Sequence, residues 1–467
     1  MNSQKIPVFI SLVLVLSCKP RKPDASDLYK DDPGPRASEI ESFRYEPDTG
    51  VYREMIARVG CDEAKKWVLS PREPLLKIIP RIKEQKSPYD FLLANLLSQD
   101  DRPCPQVSKK SSIDGIKRLH QAVTSKGYSL TVIMIGGFGS HFTIDGALAL
   151  SRASWAAALP KESFRVERVE CTPNSYASDD VCVPIFRTKI ETLISQESGK
   201  PHVYLMWGYS KGGTVSLQLL ADWPQFRERV IGLITVGSPF GGGLPMKSIV
   251  PVFEQTLDRG GQLSPRDQQI FNGLLLYGAG YSGPRDDLKT AAGVAALLAP
   301  DQRPMTRAGL VSILPRERLR ILRDVTPRWD LSRLKPHPLT GKKVTPIFHV
   351  SAAVDLAEFR VVPEMKISKD SKVQISVAST NVMHIAELAL VHELASHPLS
   401  DTCIALEHSV IPPASMPKGA TAELLSLLKL DHFSLGLSEQ PGAHSPPGEA
   451  ITDSIIDVVG QKLGGAN

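Results

Sequence analysis

Apolar residues in this chain fall into two alternating rhythms. Short continuous runs, SLTVIMI (Ser129–Ile135), HVYLMW (202–207), VIGLITV (Val230–Val236) and TPIFHVSAAV (345–354), read as strands buried on both faces. A half-alternating run, SFRVERVE (163–170), reads as a further strand. Between them lie segments with apolar positions every three to four residues: 115–127, ended by a glycine, then 145–158, 184–195 and 213–221. Strand and helix in strict alternation predict an α/β fold, a mostly parallel sheet with helices on both faces.

The rhythm breaks after VIGLITVGSPFGGG. Residues 244–344 carry helical pieces rich in proline and arginine, such as TAAGVAALLAP and PRERLRILRDV, and are expected to form a helical cap inserted into the sheet fold. Strand pattern resumes at 345, continues in a last apolar run, AELLSLLKL (422–430), and closes with a helix over 449–463. Before the first strand, residues 18–111 begin polar and proline-bearing and then show short helical patterns such as PYDFLLANLLSQ. They read as a tether and a small helical region. The expected division is therefore 1–17, 18–111, 112–243, 244–344 and 345–467, with the second and fourth segments outside the sheet.

The first eighteen residues change the picture. Met1 to Lys5 is short and positive, Ile6 to Leu16 is mostly apolar and Ser17 is small, which is the layout of a secretory signal too short to span a bilayer. VLSC (15–18) resembles the lipobox of bacterial lipoproteins. That resemblance implies cleavage before Cys18, acylation of that cysteine and a membrane partner reached through the lipid anchor. Lys19 stands where some bacteria place an aspartate to retain lipoproteins at the inner membrane, so the expected site is the cell envelope, at the outer membrane. Export permits disulfides. Cys61, Cys104, Cys171, Cys182 and Cys403 remain; Cys171 with Cys182 and Cys61 with Cys104 are candidate pairs, and spacing alone leaves the pairing open. A formal net charge of +5 over 467 residues, without a basic run interleaved with aromatics, argues against a nucleic-acid partner.

Candidate chemistry centres on HVYLMWGYSKGG. A strand, a sharp turn and a helix meet at G-Y-S-K-G, the spacing of a nucleophile elbow with Ser210 at its tip. The glycines at 208 and 212 remove side chains where strand and helix must pass. The turn lifts the serine hydroxyl beside a helix N-terminus, where free N–H groups favour developing negative charge. Here the chain resembles the α/β-hydrolase superfamily, its lipase-like and esterase-like members, over roughly residues 113–463 with the cap as an insertion.

That resemblance implies a set of roles. IMIGGFGS follows the strand at Ser129–Ile135 as the family's oxyanion loop does, although Gly136 stands where the family often has histidine. Phe138 and Lys211 would supply the two oxyanion-hole N–H groups. GSPFGGG (237–243) looks like the loop that borders the pocket. The family order of nucleophile, acid, histidine makes His432, in LLKLDHFSLGL after the last apolar run, the expected general base. Two aspartates compete for the acid: Asp355, directly after a strand, and Asp401, in LSDTCIALEHS, whose texture resembles a lipase acid loop. Asp401 is favoured.

Two other patterns carry less. G-A-G-Y-S-G (278–283) has dinucleotide-loop letters without a following βαβ unit and acidic residue. HELASH (392–397) spaces its histidines i, i+5, about 140° apart around a helix, which one metal ion cannot bridge. The expected activity is hydrolysis of carboxylic esters, acyl esters of lipids or other hydrophobic acids, through a Ser-His-Asp triad with no metal or organic cofactor. The competing expectations are a non-catalytic envelope lipoprotein that uses the fold as a binding scaffold, and a serine peptidase or thioesterase on the same fold.

Overall fold

The computed structural model of the chain describes residues 49–69, 104–108, 114–138, 159–160, 164–171, 175–197, 199–243, 246, 250, 301, 303–353, 366–367, 373–374, 400–401, 403–430, 432, 435 and 448–464. In chain order the elements are helices α1 (Gly50–Val59) and α2 (Cys61–Trp67), strand β1 (Val68–Leu69), helix α3 (Asp114–Thr124), strands β2 (Ser129–Ile135) and β3 (Phe164–Val169), helix α4 (Asp179–Ser195) and strand β4 (His202–Tyr209). Helices α5 (Lys211–Asp222) and α6 (Pro224–Arg227), strand β5 (Val230–Val236), and helices α7 (Arg303–Ser312) and α8 (Pro315–Asp324) follow. Strand β6 (Thr345–Ala352), the short ribbon β7 (Lys366–Ile367) and β8 (Val373–Gln374), strand β9 (Ala420–Leu428) and helix α9 (Gly448–Gly464) complete the order.

One sheet organises the molecule, in the order β1-β9-β6-β5-β4-β2-β3. Its six long strands are all parallel, and β1 adds an antiparallel edge, with Val68 opposite Leu428. Parallel strands need crossovers, so helices cover both faces. In β4, Val203, Leu205 and Trp207 enter one core with Met55 of α1, Leu119 of α3 and Ile455 of α9. Tyr204 and Met206 point the other way, toward Phe186 of α4 and Leu219 of α5. Alternation within an unbroken apolar run thus builds two cores from each strand. The architecture is the α/β-hydrolase fold, an α/β sheet with helices on both faces.

Several boundaries differ from the periodicity. Helix α4 begins at Asp179, upstream of Pro184, which sits inside the helix rather than at its start. Helix α5 begins at Lys211, immediately after the turn. The short edge strand β1 has no sequence signal. Within the expected insertion, α7 and α8 are helical, but residues 330–344 return to the sheet: Arg333 donates to the carbonyls of Arg227 and Val230, and His337 Nε2 to that of Ile231. The signal segment with Cys18, Asp355, the helix expected over 145–158, the stretch 251–300 with G-A-G-Y-S-G, and HELASH lie outside the described residues.

Candidate active site

The turn between β4 and α5 holds its backbone tightly. Ser210 has φ +52° and ψ −131°, the only non-glycine residue at positive φ among the described residues. Such a conformation costs about 1–3 kcal/mol and persists only where its surroundings impose it. They do so here. Ser210 N–H donates to the Val236 carbonyl (2.8 Å) of β5, and its own carbonyl accepts from Gly213 N–H (3.0 Å). A Cβ on Gly208 would lie 2.5 Å from Gly213 Cα, and one on Gly212 would strike the Ile135 carbonyl. Strand and helix cross so closely that only glycine fits at both positions.

His432, four residues beyond the end of β9, reaches the serine. Its Nε2 is 2.9 Å from Ser210 Oγ, and its Nδ1 is 2.8 Å from Asp401 Oδ2. A carboxylate only accepts hydrogen bonds, so Nδ1 carries the ring proton and Nε2 offers its lone pair to the serine hydroxyl. All three residues are buried.

Each partner is itself held. Asp401 Oδ1 accepts from the backbone N–H groups of Cys403 (3.0 Å) and Ile404 (2.7 Å), which leaves Oδ2 to the imidazole. His432 N–H donates to the Asp401 carbonyl, so backbone and side chain tie the two residues together. Tyr209 OH donates to the His432 carbonyl (2.6 Å), and its ring stacks on the imidazole with centroids 5.4 Å apart. Gly237, at φ +52°, closes the turn after β5. A Cβ there would lie 3.2 Å from Asp401 Oδ2 and 3.3 Å from His432 Nδ1.

The loop after β2 lies against the nucleophile. A Cβ on Gly137 would meet Ser210 Oγ at 2.9 Å and Lys211 N at 3.3 Å, and Phe138 follows directly. Lys211 is the first residue of α5, where N–H groups have no intrahelical acceptor. Its side chain turns inward: the ammonium donates to the carbonyls of Ser175 (3.1 Å) and Ala177 and lies 4.9 Å from the Phe138 ring centroid. Burial drives its pKa down to about 8, the nearby Asp179 carboxylate opposes that fall, and Arg318 adds to it.

Ser210, His432 and Asp401 are therefore brought together in one line, with Phe138 and Lys211 beside the serine. Tyr209 and Gly237 were missed as contributors: one is the variable letter of the elbow pattern and the other one of several glycines in its loop. Among the described residues no group of three metal-ligating side chains occurs, and no helix is long and apolar enough to cross a membrane. The two candidate cysteine pairs are disulfides, Cys61–Cys104 and Cys171–Cys182, and Cys403 is a thiol.

No protein-family model and no curated protein matches this chain. Solved structures do. A carboxyl esterase of metagenomic origin is 14% identical, with a TM-score of 0.40 over 72% of this chain and 77% of its own. A lipase of Bacillus licheniformis is 13% identical (TM-score 0.34, 66% and 86%), and lipase 1 of Pelosinus fermentans is 10% identical (TM-score 0.34, 73% and 99%).

Proposed function

We propose that the chain is a serine hydrolase cleaving carboxylic esters, with lipids or other hydrophobic acyl esters as substrates. One observation carries the reading: an unbroken hydrogen-bonded line from Asp401 through His432 to a serine held at positive φ. In this reading Ser210 Oγ attacks the ester carbonyl while its proton passes to His432 Nε2. The carboxylate of Asp401 keeps the proton on Nδ1 and stabilises the imidazolium that forms. The N–H groups of Phe138 and Lys211 receive the carbonyl oxygen as it becomes an oxyanion. Collapse of the adduct breaks the bond to the alkoxy group, which leaves as the alcohol with the proton from His432, and Ser210 remains acylated. Water, deprotonated by the same imidazole, then attacks the acyl carbon and releases the acid.

Lipid esters are favoured by the lipase-like elbow pattern together with the lipobox at Cys18, which would hold the enzyme at an outer-membrane surface by acyl chains, each buried CH₂ contributing about 0.8 kcal/mol. A fluorophosphonate probe tests the reaction class. Wild type is expected to be labelled and Ser210→Ala is not; a folded wild type that stays unlabelled instead supports the scaffold reading. Rates on p-nitrophenyl esters are expected to rise with acyl length, and a preference for peptide anilides would overturn the ester assignment. In cells, incorporated palmitate should disappear with Cys18→Ser.

A further inference from the structure

A lysine ordinarily keeps its ammonium in solvent. Lys211 does not. Lys211 is 2% exposed, and burying an ammonium is costly unless its donors are satisfied. Here they are met by the Ser175 and Ala177 carbonyls, with Cys182 Sγ of the Cys171–Cys182 disulfide 3.3 Å away. Above it lies the face of Phe138, at a distance where a cation and an aromatic ring attract. Phe138 in turn stacks on Tyr176 at 5.4 Å, and Tyr176 lies between the two carbonyls that hold the ammonium.

The arrangement joins two groups that the reaction needs at a fixed separation. One oxyanion donor is Lys211 N–H, anchored in α5. The other is Phe138 N–H, in a loop whose ring is gripped by the side chain of that same Lys211. Resting on the serine-hydrolase reading above, we propose that the Lys211 ammonium is a positioning group which sets the gap between the two oxyanion donors by holding the Phe138 ring.

The charges that face this ammonium come from three elements. Asp179, at the start of α4, attracts it. Arg318 of α8, paired with Asp179 at 2.9 Å, opposes it. Tyr176, in the preceding loop, stays neutral because burial drives its pKa upward. Burial pushes the pKa of the ammonium down to about 8, and the two cations share one carboxylate. Loss of that proton removes the cation from beneath the ring and one of the donors to the carbonyls. The competent state is the protonated one, so turnover falls as pH rises through about 8.

A mutant cycle separates this role from simple packing. Lys211→Met is expected to lower kcat about 10- to 100-fold with KM within about twofold, and to abolish the alkaline fall in kcat. Phe138→Leu keeps the backbone donor and removes the ring, and should produce the same loss. Because both act through one contact, the double variant should be no worse than either single. Factors that multiply, an effect confined to KM, or a Lys211→Met enzyme with wild-type kcat would each overturn the proposal. A readout independent of turnover is available in Ser210→Ala protein labelled with [¹³C]lysine. The ε-carbon resonance that Lys211→Met removes should titrate near pH 8 and should shift in Phe138→Leu. A midpoint near that of free lysine, with no response to Phe138→Leu, overturns the proposal whatever the enzyme's activity, whereas an unlabelled wild type in the fluorophosphonate experiment strikes the serine-hydrolase reading instead.

Discussion

At the scale of single residues, the atom on which the proposed mechanism turns is Asp401 Oδ2. Its sister Oδ1 is occupied by two backbone N–H groups, so Asp401→Asn would leave its carbonyl oxygen with them and turn its NH₂ toward His432. Imidazole Nδ1 would then accept a hydrogen bond, Nε2 would carry the ring proton, and Ser210 would face a donor instead of a base. The expected loss is about 10³- to 10⁴-fold in kcat with the unfolding transition preserved; a loss below tenfold would remove Asp401 from the mechanism. Ser210 and His432 were legible in the amino-acid order because elbow spacing and position after the last apolar run are local signals. Asp401 was legible only by its resemblance to a lipase loop, since no periodicity marks which aspartate a folded chain will carry to a histidine. Tyr209 could not be read at all: its task, a hydrogen bond to the carbonyl of His432, joins residues 223 apart in sequence, and only the fold makes them neighbours.

Buried polar pairs tie elements together around the site, alongside apolar packing. Asp179, which opens α4, accepts from Thr214 Oγ1 of α5 (3.1 Å) and pairs with Arg318 of α8 (2.9 Å), so three helices meet at one carboxylate. Breaking a buried pair from one side leaves a charge without compensation, typically about 3–5 kcal/mol. Lys211 still faces Asp179, so Arg318→Met should fall at the lower end, about 3 kcal/mol, with much of it recovered by Asp179→Asn in the same chain. Urea melts of the three variants measure this; a single variant within about 0.5 kcal/mol of wild type would show that α8 is not tied down through this pair. The apolar runs of β2, β4, β5 and β6 were legible because a parallel strand buries both faces and leaves no polar position to interrupt the run. The start of α4 was not, for a physical reason: proline is favoured in the first helical turn, so Pro184 mimicked a beginning, while the true start at Asp179 is stabilised by partners on two other helices. Strand β1 escaped notice because two residues cannot carry a period.

Across the whole molecule, stability at mildly acid pH should depend on two buried histidines other than His432. In β6, His349 accepts from Ile411 N–H at Nε2 (3.4 Å) and meets Thr235 Oγ1 of β5 at Nδ1 (2.6 Å); in the returning loop, His337 accepts from Leu339 and Thr340 N–H at Nδ1 and donates to Ile231 at Nε2. Each ring has one nitrogen committed as an acceptor of backbone N–H groups, which only a neutral imidazole can be. Burial accordingly lowers their pKa values, to about 3 for His349 and about 4 for His337. The unfolded chain takes up protons at these positions near pH 6.5 and the folded chain does not, so stability is fully present above that pH and is lost as pH falls toward the folded values. Between pH 7 and 5 the loss is about 2 kcal/mol for each ring, roughly 4 kcal/mol together, above the range where carboxylates titrate. Because His349 lies in an interior strand of the sheet and His337 locks the loop that leads into β6, the loss belongs to global unfolding and not to a fraying edge. Urea midpoints at pH 7 and 5 should therefore differ widely in wild type and less in His337→Gln; equal midpoints in wild type would mean that water reaches both rings and that this part of the sheet is looser than its packing indicates.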